Sequence, residues 1–253
     1  MKILVTAGGT TEPIDDVRGI TNHSSGRLGS FIAQDFFLEG HEVDYITTRT
    51  AVSVKEKHRL QLHYIQSTSE LKAKMNQLLT ENTYDAVIHS MAVSDYTPTN
   101  TTSGSAFVAQ LAKEIENAKT ADLKETLTHA LDAFSQTKQE NKKISSDEEK
   151  LIVVLQKTPK VIQMIKEMQP QTILVGFKLL VDVSNEQLVH VALESMKKNH
   201  ADFILANDLH SISGDKHTGL LVRPDGDYKV ASTKQQIAKL IVQSVEEKVK
   251  AKR

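Results

Sequence analysis

Cysteine is absent from this 253-residue chain, which excludes disulfides, a thiol nucleophile and any cysteine-ligated metal. A preponderance of charge of one sign is also missing. The formal net charge is −1, so bulk electrostatic binding to nucleic acid or to anionic membrane has no basis. No apolar run is long enough to cross a bilayer, and the N-terminus enters a strand rather than a basic-then-apolar signal. The expectation is a cytoplasmic chain. Familiar motifs are lacking as well. The Walker pattern is not present, the ten histidines show no HExxH spacing, and no Ser–His–Asp ordering stands out. Gly8-Gly9 is not followed by the third glycine of a dinucleotide fingerprint.

What is present supports a folded α/β chain. The 39% hydrophobic content can fill a core, and the length suits one large domain or two small ones. Ile3-Leu4-Val5 reads as a buried parallel strand and leads directly to Gly8-Gly9-Thr10. About a dozen polar residues follow before Asn22-His23-Ser24-Ser25-Gly26 and an amphipathic helix carrying Leu28, Phe31, Ile32 and Phe36. Ser24 or Ser25 is its expected N-cap and Gly40 its stop. Val43–Thr47, Leu62–Ile65 and Asp85–His89 read as further strands, with a helix capped by Ser67 between the last two. Residues 100–141 open with a Thr/Ser/Asn/Gly patch and continue as helices, an excursion from the sheet. The sheet is expected to resume at Leu151–Leu155, then at Thr172–Phe177 and Phe203–Ala206. A hairpin turns at Pro224-Asp225-Gly226, and a last helix carries Ile237, Leu240, Ile241, Val245 and Val249. The expected architecture is α/β: a Rossmann-like, doubly wound, mainly parallel sheet with helices on both faces, a helical insertion and a C-terminal β-hairpin. It is read as one domain, 1–253, with the insertion at about 100–141 and the hairpin at about 211–231.

Ligands of such sheets bind outside the carboxyl ends of the strands. The residues expected at that edge are rich in lysines and small donors: Gly8, Gly9, Thr10, Asn22, Ser24, Ser25, Gly26, Asp95, Lys143, Lys157, Phe177, Lys198, Asn207 and Asp208. Lysines and helix N-termini suit a polyphosphate. Asp95 suits a ribose hydroxyl or a hydrated Mg²⁺. Phe177 suits either the core or a base-stacking platform, and each lysine either a ligand or solvent.

Taken together these runs resemble one family. Thr6–Asp15, Ile20–Gly29, Val93-Ser94-Asp95-Tyr96, Lys143-Ile144, Lys157-Thr158-Pro159, Val175-Gly176-Phe177 and Ala206-Asn207-Asp208 are similar to phosphopantothenoylcysteine synthetase, an enzyme of coenzyme A biosynthesis. The resemblance implies a phosphopantothenate–cysteine ligase. The 4′-phosphopantothenate carboxylate attacks the α-phosphorus of CTP (or ATP), and the amine of L-cysteine then captures the acyl-nucleotidylate. By the same resemblance Asn22 and Lys143 are catalytic. Gly8, Gly9, Thr10, Ser90, Met91, Asp95, Lys157, Thr158, Pro159, Lys160, Phe177 and Lys198 bind nucleotide, and Asn22, His23, Ser24, Ser25, Gly26, Asn207 and Asp208 bind substrate. Mg²⁺ would arrive with the nucleotide phosphates, with no metal site of the protein's own.

The chain starts at the synthetase's first strand, so it resembles the free-standing form without a flavin domain, served by a separate flavin-dependent decarboxylase. Family members are homodimers; the excursion and the hairpin are the expected contacts. Three departures from the family pattern bear on this, one of them Glu194, which stands where the fused forms tend to carry a second lysine. Ser145-Ser146 replaces lysines after Lys143-Ile144, and Lys178-Leu179 after Phe177 resembles the ATP-using branch. A nucleotide-binding regulatory homologue and a nicotinamide-dependent reductase are the alternatives.

Overall fold

Short branched apolar runs separated by amphipathic helices can bury both faces only as a parallel sheet with helices above and below. The computed structural model describes residues 1–118, 122–136 and 149–252. Its first elements are β1 (Lys2–Thr6), β2 (Thr11–Pro13), β3 (Gly19–Thr21), α1 (Arg27–Leu38), β4 (Glu42–Thr47), β5 (Leu60–Tyr64), α2 (Thr68–Glu81) and β6 (Ala86–His89). There follow β7 (Tyr96–Ser103), α3 (Gly104–Glu116), α4 (Leu123–Gln136) and β8 (Leu151–Lys157). The last third contains α5 (Val161–Met168), β9 (Ile173–Leu180), α6 (Asn185–Asn199), β10 (Phe203–Asp208), β11 (Ile212–Ser213), β12 (Lys216–Val222), β13 (Tyr228–Thr233) and α7 (Lys234–Lys252).

The chain divides into two compact units. One comprises residues 1–10, 22–93 and 160–253, the other 11–21 and 94–159. In the first unit β5, β4, β1, β6, β9 and β10 lie side by side in parallel, and β12 continues antiparallel beside β10. Both β11 and β13 pair with β12, so the expected hairpin extends the main sheet. Strand alternation then divides the core. Ile3, Val5 and Val175 pack with Ile32 and Phe36 of α1 and Ile237, Ile241 and Val245 of α7 on one face. Leu4 and Leu174 pack with Leu71 and Met75 of α2, Ile165 of α5 and Leu188 of α6 on the other. Ser67 caps α2 by accepting from Glu70 N, and Ser184 with Gln187 closes a capping box at the start of α6.

The second unit corrects two expectations. The Leu151–Leu155 run does not rejoin the main sheet; β8 pairs antiparallel with β7 as a separate two-stranded ribbon. The polar patch that opens the excursion is β7 itself, whose Thr-rich sequence suits a half-buried strand. The polar stretch after Thr10 forms a second ribbon, β2 with β3. Asp15, nearly closed to solvent, receives Arg18 through Nε at 3.0 Å and Nη2 at 2.6 Å beside that ribbon's turn. Among the described residues, the rest of the excursion is helical as expected, in α3 and α4. Phe134 of α4 meets Phe107 of α3 edge-on at 5.2 Å, and Asn100 Nδ2 donates to Phe134 O at 2.7 Å.

Candidate active site

From β1 the chain passes through α1 to β4 on one side, and α2 later returns it to β6 on the other. Loops after these two strands therefore diverge, and the crevice outside their carboxyl ends is where such a sheet takes a ligand. Here the loops are tied together. Ser90 donates to Thr6 O through both N, at 3.1 Å, and Oγ, at 2.8 Å. Ala92 N donates to Gly8 O at 2.8 Å and Thr10 N to Ala92 O at 3.1 Å, a parallel bridge extending beyond the sheet. Gly8, Gly9, Thr10 and Met91 are buried in this junction, while Thr10 Oγ1 is engaged with Thr68 Oγ1 at 3.2 Å.

Asn22 is fixed to the same junction. Its Nδ2 donates to Val93 O at 3.0 Å, yet the residue is solvent-exposed. An amide nitrogen has two protons, so one N–H and Oδ1 remain for a ligand. Gly9 makes the placement possible: a Cβ there would lie 2.0 Å from the Asn22 carbonyl oxygen. His23 and Ser25 are exposed and Ser24 half-buried. The expected serine cap of α1 is replaced. Gly26 is the N-cap in the left-handed conformation, at φ 70, with no side-chain cap. Ser24 Oγ accepts from Gly26 N, and Ser25 Oγ from Arg27 N, only at 3.4 Å each. An uncapped first turn leaves its N–H groups suited to an oxyanion.

Further along this edge, Phe177 is half-buried against the α1/α7 core, so it is partly a core residue. Asn207 is buried at the end of β10. Desolvation pushes the Asp208 carboxyl up, but the N–H groups of Val183 and His210, at 3.1 and 2.7 Å, hold it below the usual range. Lys160 is exposed at the start of α5. In the second unit, Thr158 N donates to Asp95 O at 3.0 Å and Thr158 Oγ1 to Ser94 O at 2.6 Å, which fixes the backbone before exposed Asp95. Lys157 and Pro159 flank it, both exposed.

Lys198 requires a correction. It lies near the C-terminal end of α6, which returns the chain to the amino end of β10, the edge opposite Gly8 and Asn22. There it lines a cavity of about 580 Å³ with Gln163, Lys166, Glu167, Pro170, Asn199 and His200. Lys143 lies outside the described residues.

The sequence leaves His89, at the end of β6, open between a hydrogen-bonded structural group and a catalyst, and the fold buries it. Burial pushes its imidazole down to about 4, and its Nδ1 is 3.0 Å from Thr6 Oγ1. Burial, with the Lys234 charge, brings His217 to about 4 as well. Both rings are neutral when folded and take up protons on unfolding below about 6.5. Their contribution to stability is therefore complete above pH 6.5 and is lost as pH falls toward 4, on the order of 3 kcal/mol for each. Urea midpoints at pH 7.5 and 5.0 should fall accordingly, and His89→Gln should flatten the difference; equal midpoints would refute the burial argument. Asp44 and Asp202 are desolvated, but hydrogen bonds, to Asp44 from His63 and Tyr84 and to Asp202 from Lys166, Leu174 N and Lys248, lower both carboxyls. Their contribution to stability is therefore complete above the ordinary carboxylate range and is lost as pH falls through that range toward the lowered folded values.

The family described as DNA/pantothenate metabolism flavoprotein C-terminal domain matches residues 1–133 and 109–249. A DNA/pantothenate metabolism flavoprotein from Streptococcus pneumoniae superposes with a TM-score of 0.80 and 40% identity, covering 98% of this chain and 99% of that one. The coenzyme A biosynthesis bifunctional protein CoaBC of Thermococcus kodakarensis is 29% identical over 97% of this chain and 51% of its own length. The chain thus spans about half the length of the curated relatives it matches. A Cab2 mutant in complex with phosphopantothenate-cysteine shares the fold, with a TM-score of 0.68 and 16% identity over 99% of this chain and 86% of that one.

Proposed function

Because the chain belongs to the DNA/pantothenate metabolism flavoprotein C-terminal domain family, we propose that it is a phosphopantothenate–cysteine ligase. The observation that carries this reading is Asn22, exposed yet held by Val93 O at the chain-reversal crevice. The names of the CoaBC relatives and the product bound to the Cab2 mutant point the same way.

The reaction has two displacements. A carboxylate oxygen of 4′-phosphopantothenate attacks the α-phosphorus of CTP or ATP, and the bond to the β-phosphate oxygen breaks, releasing pyrophosphate. The cysteine amine then attacks the acyl carbon; the acyl–oxygen bond breaks, the nucleoside monophosphate leaves, and the amine gives up a proton. Neither step needs a covalent nucleophile from the protein, so orientation and charge neutralisation supply most of the rate.

In this reading the free N–H of Asn22 steadies the acyl oxygen as negative charge develops on it. The uncapped start of α1, with Ser24, Ser25 and Gly26, takes phosphate oxygens, and His23, Asn207 and Asp208 complete the substrate side. Ser90 and Met91 shape the nucleotide side with Gly8, Gly9 and Thr10, and Lys160 adds charge. Phe177 stacks the base with the part of its ring outside the core. In the second unit Asp95, Lys157, Thr158 and Pro159 are proposed as nucleotide contacts, and Lys143 keeps the catalytic role that the resemblance gives it.

Mg²⁺ suits this donor set as a cation brought in by the nucleotide phosphates, since no three His, Asp or Glu among the described residues are grouped to hold a metal. No described helix is long and apolar enough to cross a membrane, and the enzyme is proposed to work in the cytoplasm as a homodimer. Exposed Tyr228 and Val230 on β13 offer one contact. The substrate's product would pass to a flavin-dependent decarboxylase.

The test is pyrophosphate release with Mg²⁺ and 4′-phosphopantothenate, comparing CTP with ATP, with and without cysteine. Release that requires phosphopantothenate is expected, and the ratio between nucleotides identifies the base. Nucleotide binding without release from either would overturn the ligase in favour of a regulatory protein.

A further inference from the structure

Helices α1 and α7 lie on the same face of the sheet, and both begin at its ligand edge. Each starts with a cation, Arg27 and Lys234, and neither has an acidic residue in its first turn. Cations at the positive end of a helix are unfavourable. Lys234 is also 91% buried by its own fold, against the general rule for lysine. Burial lowers its pKa, and neighbouring Arg27 lowers it further, with Asp215 opposing them. Folding alone gives no reason to gather these charges.

Beside them stands His217 at the start of β12, 6% exposed, with Nδ1 and Nε2 both buried and both without a hydrogen-bond partner. A neutral imidazole has one donor and one acceptor, and a buried donor left unused is costly. The groups that now answer the two cations are weak substitutes. Lys234 Nζ donates to Gly214 O at 2.6 Å, and Arg27 Nη1 is 3.7 Å from Asp215 Oδ1, whose side chain is 91% exposed. The turn between β11 and β12 thus lays one carbonyl and one loose carboxylate where a stronger acceptor is called for.

The geometry points to a phosphate-oxyanion site formed by Arg27, Lys234 and His217 at the first turns of α1 and α7. The oxyanion replaces Gly214 O as the acceptor for Lys234, takes Arg27 from Asp215, and receives the unused N–H of His217. Nothing packs within 4 Å of where a side chain at Gly214 would begin, which leaves room for that turn to move aside. Arg27 directly follows Gly26, so the site adjoins the crevice. The source of the phosphate rests on the ligase reading: it is either the pyrophosphate portion of the nucleotide or the phosphate monoester of the substrate.

Binding without turnover separates the two questions. Pyrophosphate and inorganic phosphate are titrated separately into the full chain, with calorimetry for affinity and nitrogen-15 NMR for the His217 ring. Binding should shift the ring nitrogens in step with the heat. Arg27→Gln, an exposed change, should weaken it about tenfold, and Lys234→Met should weaken it further. A preference for pyrophosphate assigns the site to the nucleotide, and equal or tighter inorganic phosphate assigns it to the monoester; either supports the site even in a chain that forms no amide. No heat with either ion at millimolar concentration, unmoved His217 signals at saturation, or unchanged affinity in Arg27→Gln would overturn it.

Discussion

Asn22→Asp should bind nucleotide and release pyrophosphate at near-normal rates while amide formation falls by about 10²–10³-fold. The magnitude follows from losing one preorganised donor to a developing oxyanion. The structure adds a reason for the loss to be complete. The native side chain is oriented by donating Nδ2 to Val93 O at 3.0 Å, and a carboxylate can only repel that carbonyl. Aspartate thus loses the anchor and the free N–H together, and brings a negative charge to the atom where charge accumulates. Cysteine-dependent product formation, measured beside phosphopantothenate-dependent pyrophosphate release, checks the split. Normal amide formation would remove Asn22 from its role.

Gly9→Ala should cost about 10²-fold in turnover through the backbone it displaces. The new Cβ would begin 2.0 Å from Asn22 O, 3.2 Å from Asn22 C and 3.6 Å from Ser24 N. All three are backbone atoms, so no side-chain rotation relieves the overlap, and residues 22–24 must shift by about an ångström to restore van der Waals separation. A displacement of that size in a positioning segment produces losses of this order. The main sheet is built from strands that do not include these residues, so circular dichroism should show an intact fold. Wild-type turnover by a folded Gly9→Ala protein would show that the Asn22 segment tolerates displacement.

Local chemistry was legible wherever a residue's role depends on near neighbours. Ser67 with Glu70, and Ser184 with Gln187, are caps readable from spacing alone, and both form. Leu151–Leu155 was misread because an apolar run states that it will be covered, not by what; its partner, β7, is reached through α3 and α4. Lys198 was misplaced for a related reason. A lysine near a helix end has no edge of its own until the topology sets the direction of that helix, and α6 runs away from the crevice. The serine cap failed because Gly26 reaches the left-handed conformation needed for entry to α1. His217 and Lys234 gave no signal, because their proximity depends on pairing between β11, β12 and β13.

The second unit is assembled from two pieces of chain, 11–21 and 94–159, with α1, β4, β5, α2 and β6 lying between them in sequence. Bringing the small ribbon of β2 and β3 to its partners therefore means closing a loop through most of the first unit's leading half, an entropic cost with little local pairing to offset it. The bridge between Gly9 and Ala92 closes that loop in advance, because it brings the two points where the chain leaves the sheet within one hydrogen bond of each other. Pairing the parallel sheet before the second unit is completed is the less costly order, and a chain arrested before that pairing is expected to lack the ordered backbone around Asp95 and Thr158.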